Sequence, residues 1–300
     1  MKRLLVIGGT GFIGYHIIKE AKKRKWKITS ISLKKPKKKR FHKKVKYKKI
    51  DIRKFNLLKK KVTEDFDFVV NAGGYGNNPD FGNTGKKLFK SHLIGVTNLV
   101  KFFSKRKIKK FIQIGSSAEY GNAISPQSED SSCSPQTPYA LAKFSCTNFL
   151  QSICRAIGFP VTILRLFLVY GPSQDKNRIL PQIISNCLIN KKFPVTKGEQ
   201  YCDFCFIDDV VNGVFKSFSS SKTNGEILNI GSGKPIRIKN IVNLVCKLIG
   251  KGKPQYGKLK YKKGINMELF PNIKKAKLKI GWFPKVTLAK GLSLTIKSYR

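Results

Sequence analysis

The chain has 300 residues, 41% apolar and 26% charged, enough to bury one substantial core or two smaller ones, and this excludes a disordered chain. Lys and Arg number 61 against 16 Asp and Glu, a net charge of +45, but only ten of the 61 are Arg, the residue that bidentate phosphate and base recognition favours. Lys spread along the whole chain attracts polyanions non-specifically, with strong salt dependence, rather than marking a dedicated nucleic-acid protein.

Met1-Lys2-Arg3 runs straight into Leu4-Leu5-Val6-Ile7, leaving no room for the apolar region of a signal peptide, so the expected location is the cytoplasm. Apolar runs predict strands over 2–7, 27–33, 66–71, 110–115 and 160–165, and apolar faces predict helices over 12–25, 86–105 and 139–157. The basic run 34–49 reads as a solvated loop. No apolar run approaches the roughly 18 residues of a membrane helix, since Arg165 interrupts 161–170. Beyond residue 170 the rhythm becomes irregular, with turns at Gly171-Pro172, Phe193-Pro194, Gly231-Ser232-Gly233 and Lys253-Pro254. Asp208-Asp209 reads as a helix N-terminal cap. Trp26 and Trp282 read as packing residues.

Strand alternating with helix implies an α/β protein. Directly after the first strand, Gly8-Gly9-Thr10-Gly11-Phe12-Ile13-Gly14 places glycines every third position as a helix opens, so that bare backbone and a helix N-terminus can approach a pyrophosphate. The expected fold is a Rossmann-type doubly wound parallel sheet over 1–170, with 204–232 returning to it, and a smaller C-terminal substrate-binding lobe over 171–300. At the end of the second strand, where a carboxylate would hold the adenosine ribose of NAD, stands Ser32, followed by Leu33, Lys34 and Lys35. That substitution leans towards the 2′-phosphate of NADP, with NAD as the alternative.

Tyr139 and Lys143 lie one turn apart on one helix face, where the ammonium stabilises a phenolate and lets Tyr139 exchange a proton. Upstream, Ser116-Ser117-Ala118-Glu119-Tyr120-Gly121 offers hydroxyls to the same substrate oxygen, and Glu119 is either a loop carboxylate or a second acid/base. Seven cysteines at irregular spacing read as reduced thiols, and Cys202-Asp203-Phe204-Cys205, with no second pair and no nearby His, does not read as a metal site.

Together these motifs resemble, nearly end to end, the extended short-chain dehydrogenase/reductases acting on nucleotide sugars, the NAD-dependent epimerase/dehydratase family. The resemblance extends to Asp51-Ile52 as the adenine-side acid and its neighbour, to Asn71-Ala72-Gly73, to 165–172, to 198–204 with 207–210, and to the closing segment 266–276 with Gly281-Trp282. It implies that Lys143 holds the nicotinamide ribose, that Tyr139 moves the proton on the sugar oxygen, and that Ser117 hydrogen-bonds that oxygen. It also implies a nucleotide-sugar substrate and a homodimer paired through the helix carrying Tyr139.

Departures narrow the activity. Ala118 stands where dehydratases carry an Asp, which argues against 4,6-dehydration. Leu168 and Cys202 replace an Asn and an Arg of the phosphate site, leaving Lys262, in place of a further Arg, and Arg178 as candidates, with Glu119 as a third substrate contact. His92 replaces a usual Asn and reads as a buried structural residue. The reading favoured is an NDP-4-keto-sugar 4-reductase. The alternatives are a UDP-glucose-type 4-epimerase and, from another class, a non-catalytic dinucleotide- or nucleic-acid-binding module.

Overall fold

Leu4, Leu5, Val6 and Ile7 have almost no exposed surface, yet they belong to two separate apolar clusters. Leu4 and Val6 pack with Ile17, Ile18 and Val210, whereas Leu5 and Ile7 pack with Val96, Leu99 and Leu150. A strand buried on both faces, with side chains alternating between them, is the interior strand of a sheet covered by helices on each side. The computed structural model describes residues 1–74, 82–261 and 265–300.

In chain order the sheet strands are β1 (Arg3–Ile7), β2 (Lys27–Ser32), β3 (Lys46–Lys49), β4 (Phe68–Asn71), β5 (Lys110–Ser116) and β6 (Val161–Leu166). Then follow β7 (Leu168–Tyr170), β8 (Lys192–Pro194), β9 (Tyr201–Phe206), β10 (Ile227–Ile230) and β11 (Pro235–Arg237). The central sheet has seven strands in the order β10-β6-β5-β4-β1-β2-β3, all parallel. Helices α1 (Phe12–Lys23), α2 (Phe55–Lys61), α3 (Asn83–Phe103), α4 (Pro138–Ile157), α5 (Ile179–Leu188), α6 (Ile207–Phe218) and α7 (Ile238–Ile249) flank it or its extension. β9 carries a second, smaller sheet, pairing with β7, β11 and Glu268–Leu269.

The five predicted strands and three predicted helices are present, with ends displaced by up to three residues. One segment differs in kind. The basic run 34–49 is not all loop, because Lys46–Lys49 pairs with β2 in the register Ser30↔Tyr47 and Ser32↔Lys49. Trp26 stacks on Phe68 with ring centroids 5.2 Å apart, and Trp282 is fully buried with its indole N–H on the Asp209 carbonyl at 2.9 Å. Asp208 and Asp209 lie in the first turn of α6, but the expected cap is absent. Asp209 instead accepts from the backbone N–H groups of Lys285 and Val286, at 3.0 and 2.9 Å, and pins the C-terminal segment.

Because the chain leaves β1 towards β2 and β3 on one side and returns to β4, β5 and β6 on the other, the order reverses between β1 and β4. A crevice opens there beyond the carboxyl ends of the strands, where open α/β sheets bind ligands.

Candidate active site

The glycine turn forms one wall of this crevice. Gly8 has a φ of +78°, and a Cβ there would lie 2.6 Å from the Ala72 carbonyl oxygen, so only glycine lets β1 and β4 release their turns side by side. A Cβ on Gly14 would collide with the Gly8 carbonyl, which is how α1 comes to start directly behind the turn. The result is a cleft of about 370 Å³ lined by Gly8, Thr10, Gly11, Ser32, Lys34, Asp51, Ile52, Ala72 and Gly73, together with Arg53, Asn71, Ser91 and His92. Phe12, Ile13 and Gly14 stand behind it as the first turn of α1. Bare backbone, a helix N-terminus and basic side chains together fit a dinucleotide diphosphate.

At the end of the cleft beside β3, Asp51 is held by Arg53, whose Nη2 lies 2.6 Å from Oδ2, and this hydrogen bond keeps the carboxyl below its ordinary range. Beyond the cleft-lining His92, and outside the lining itself, lie the catalytic candidates. Thr137 caps α4 and Pro138 occupies its first turn, fixing where the helix begins and so where Tyr139 points. Lys143 is buried and donates from Nζ to the Ile114 carbonyl at 2.8 Å, with Nζ 5.8 Å from the centroid of the Tyr139 ring. Tyr139 is half-buried, and its hydroxyl has no hydrogen-bond partner among the described residues.

The two serines at the end of β5 separate by role. Ser116 Oγ accepts from Ala118 N and caps a short 3-10 turn, Ser117–Tyr120, whereas Ser117 Oγ has no partner among the described residues. Ser117, itself buried, is therefore the hydroxyl of the two that is not committed to the turn.

Glu119 is neither a loop carboxylate nor a substrate contact. It is 0% exposed; Oε1 accepts from Ser116 N at 2.8 Å, while Oε2 accepts from Thr147 Oγ1 at 2.8 Å and from Arg165 Nε at 2.9 Å. An acid with no accessible surface cannot reach a sugar, and this one ties the serine turn to the face of α4 that carries Tyr139 and Lys143. Arg165, whose burial the sequence signalled as a lone charge inside an apolar strand, also lies over the Tyr120 ring, 4.5 Å from its centroid.

Of the other expected substrate contacts, Arg178 is exposed at the N-terminus of α5 and Lys262 lies outside the described residues. Leu168 is half-buried in β7, and Cys202 is buried in β9. His92 is buried as expected, but it also lines the cleft, fills the space a side chain at position 74 would need, and meets the Tyr139 ring edge to face at 5.8 Å. Arg40 went unnoticed within the basic run. It is buried, donates to the carbonyls of Thr10 and Ser173 at 3.3 and 2.7 Å, and pairs with Asp175 at 2.9 Å, so it staples the glycine turn to the segment after β7. Among the described residues no group of three or more His, Cys, Asp or Glu could hold a metal ion, and no helix is long and apolar enough to cross a membrane.

The sequence profile of the NAD dependent epimerase/dehydratase family matches residues 4–231, from β1 through β10. The chain belongs to this family. Within it, a UDP-glucuronate 4-epimerase of Thermodesulfobacterium geofontis is 30% identical over 69% of this chain and 64% of its own length. The protein described as an uncharacterized UDP-glucose epimerase YtcB of Bacillus subtilis is 26% identical over 97% of this chain and 96% of its own. Among solved structures, UDP-glucose 4-epimerase of Thermotoga maritima, determined with UDP-glucose, superposes with a TM-score of 0.93 at 25% identity, covering 99% of this chain and 98% of that one. UDP-glucuronic acid 4-epimerase of Bacillus cereus, determined with UDP-glucuronic acid and NAD, gives 0.89 at 25% identity over 99% and 98%. Like the rest of the epimerase/dehydratase family, this chain is an NAD(P)-dependent enzyme of the short-chain dehydrogenase/reductase type.

Proposed function

We propose that the chain acts at C4 of a nucleotide-activated sugar as an NDP-4-keto-sugar 4-reductase, working in the cytoplasm as a homodimer. The observation that carries the reading is the pair of hydroxyls with no hydrogen-bond partner among the described residues, Ser117 Oγ and Tyr139 Oη, near Lys143, which is anchored to β5, with the Tyr139 ring against the cleft-lining His92. In the reductive direction Ser117 donates a hydrogen bond to the C4 ketone oxygen and Tyr139 gives that oxygen a proton as the carbonyl becomes an alcohol. The bound dinucleotide supplies the two-electron reduction of the carbon. Lys143 is fixed by the Ile114 carbonyl with its Nζ 5.8 Å from the Tyr139 ring centroid. Arg178 and Lys262 hold the substrate diphosphate. Ile94 of α3 and Leu141 of α4, both exposed, support pairing of two copies through these helices.

Reduction is favoured over dehydration because Ala118 stands where an elimination acid would be needed and Glu119 is committed to Arg165. A second reading is supported by the relatives, several of which carry the name of UDP-sugar 4-epimerases: the same groups would remove and restore the proton on the C4 oxygen, while a retained NAD would take the hydride from C4 and return it to the other face.

One experiment separates the two. The dinucleotide released from protein purified without added nucleotide is identified, and the stripped enzyme is assayed with NDP-4-keto-sugars and with UDP-glucose or UDP-glucuronate. Consumption of added reduced dinucleotide with the keto-sugar supports the reductase. Tightly retained NAD with interconversion of the UDP-sugars and no net redox change overturns it in favour of the epimerase.

A further inference from the structure

The seven cysteines stand at irregular spacing in the sequence, yet two of them meet in the fold. Cys187 lies in the last turn of α5 and Cys246 in the last turn of α7, and their sulfurs are 3.5 Å apart. Among the described residues no other two thiols are in such contact.

The meeting is built into the packing of the two helices. Leu180, Ile183, Ile184 and Cys187 form the buried face of α5 at spacings of three and four, and Ile241, Val242 and Val245 that of α7. Beyond the helices the chain continues into Lys192–Pro194 and Lys253–Gln255, which pair as parallel strands, and the Gly252 N–H donates to Asn190 Oδ1 at 3.2 Å. The backbones that carry the two sulfurs are thus tied together just past them. Gly252 supplies a second observation. Its φ is +117°, and a Cβ there would lie 2.5 Å from Cys187 Sγ and 3.2 Å from Cys246 Sγ, so both sulfurs rest on one bare stretch of backbone.

Burial gives the two thiols different parts. Cys187 has no exposed surface, and its thiol is pushed up to about 12 by burial and by the Cys246 thiol beside it, whereas Cys246 is half-buried. The first attack needs a thiol that a solute can reach, so Cys246 meets the oxidant and Cys187 resolves the product.

We propose that Cys187 and Cys246 form a thiol–disulfide exchange site, whose oxidation by a small-molecule disulfide cross-links α5 to α7 and stabilises the fold. The Cys246 thiolate attacks one sulfur of the small disulfide, whose S–S bond breaks and releases one small thiolate; that thiolate takes up the proton Cys246 lost. The Cys187 sulfur, deprotonated in turn, attacks the Cys246 sulfur of the mixed disulfide. The Cys187–Cys246 bond forms, and the second small thiol leaves with the Cys187 proton. The two cysteines lose two electrons and the small disulfide gains them. Rotation about the Cα–Cβ bonds brings sulfurs this close to bonding distance. The new bond closes the long loop that runs from α5 through β9, α6 and β10 to α7, and so restricts the unfolded chain. No cysteine lines the main cleft, and the site stands whatever sugar that cleft serves.

The test uses the full chain, reduced, freed of reductant and incubated with excess oxidised glutathione at about pH 8.5, where an ordinary thiol ionises. Wild type, Cys187→Ser and Cys246→Ser are compared by thiol titration in denaturant, peptide mass mapping without reductant, and urea unfolding. Wild type is expected to fall from seven titratable thiols to five, with Cys187 and Cys246 in one linked peptide pair, and dithiothreitol to restore all seven. The oxidised form is expected to unfold at a urea midpoint higher by ~0.5–1 M. Cys187→Ser should stop at the mixed disulfide, with one glutathione on Cys246, and Cys246→Ser should leave Cys187 free. Retention of seven thiols by wild type, glutathione on scattered cysteines without the Cys187–Cys246 link, or a link without a raised midpoint each overturns the proposal. Wild type alone decides these outcomes, so a variant that fails to fold does not shield it.

Discussion

Two charged assemblies at the carboxyl ends of the sheet strands are built on opposite terms. Beneath the serine turn, Glu119 and Arg165 have almost no exposed surface, and Glu119 is bonded to three elements at once: the end of β5, α4 and β6. At the ends of β2 and β3, Lys34, Lys35 and Lys49 are exposed and share no acid among the described residues. Burial forces a charge to find its partners inside the protein, because an uncompensated ion in the interior is intolerable. Exposure removes that demand, and the leftover charge is free to recognise a ligand. Inner charges here should therefore control stability and geometry, and outer ones affinity.

The sharpest way to break this contrast is Glu119→Ala, which strands the Arg165 guanidinium in the interior. A loss of about 3–5 kcal/mol is expected, read from the midpoint of urea unfolding; a change within experimental error would mean that the pair is not buried as described. Next comes Tyr139→Phe, for which turnover should fall at least ~100-fold with dinucleotide affinity unchanged. Normal turnover in that variant would remove Tyr139 from the mechanism.

A third test uses His16, whose ring bonds the Pro172 carbonyl at 2.9 Å and whose pKa burial pushes down to about 4. The unfolded chain therefore binds the proton more readily than the folded one between about pH 6.5 and 4. Stability should be fully present above that window and decline as the pH falls through it, by up to ~3 kcal/mol. His16→Gln should flatten this limb, measured as the difference between the two unfolding profiles. The smallest effect belongs to the outer lysines: Lys34→Ala/Lys49→Ala should change folding stability by no more than about 0.5 kcal/mol. A larger loss would show that these lysines are structural after all.

Much of this was legible in the sequence where local chemistry dictates local structure. The glycine turn is readable because φ and close approach restrict Gly8 and Gly14, and the Tyr139–Lys143 pair because α-helix geometry puts i and i+4 on one face. Short polar elements were less readable. β3 is Lys-Tyr-Lys-Lys, an edge strand without an apolar run, and only its hydrogen bonds to β2 identify it. Partners distant in sequence were the least readable. The role of Glu119 depends on Arg165, on a neighbouring strand, and that of Asp209 on the backbone at Lys285 and Val286, so each side chain reads locally as something else. The lone Arg165 within an apolar strand was the available clue, since a buried guanidinium implies a buried acid.

The place of β10 in the sheet also bears on synthesis. It pairs along β6 from Ile227↔Ile163 to Ile230↔Leu166, yet it belongs to residues 227–230 while β6 ends at residue 166. A nascent chain must extend past the whole intervening segment before that seam can close. Until then Val161, Thr162, Ile163 and Leu164, all without exposed surface in the finished fold, present an unpaired apolar edge of the kind that invites intermolecular strand pairing. Protection of this edge by a holdase chaperone until β10 emerges would thus bear on yield.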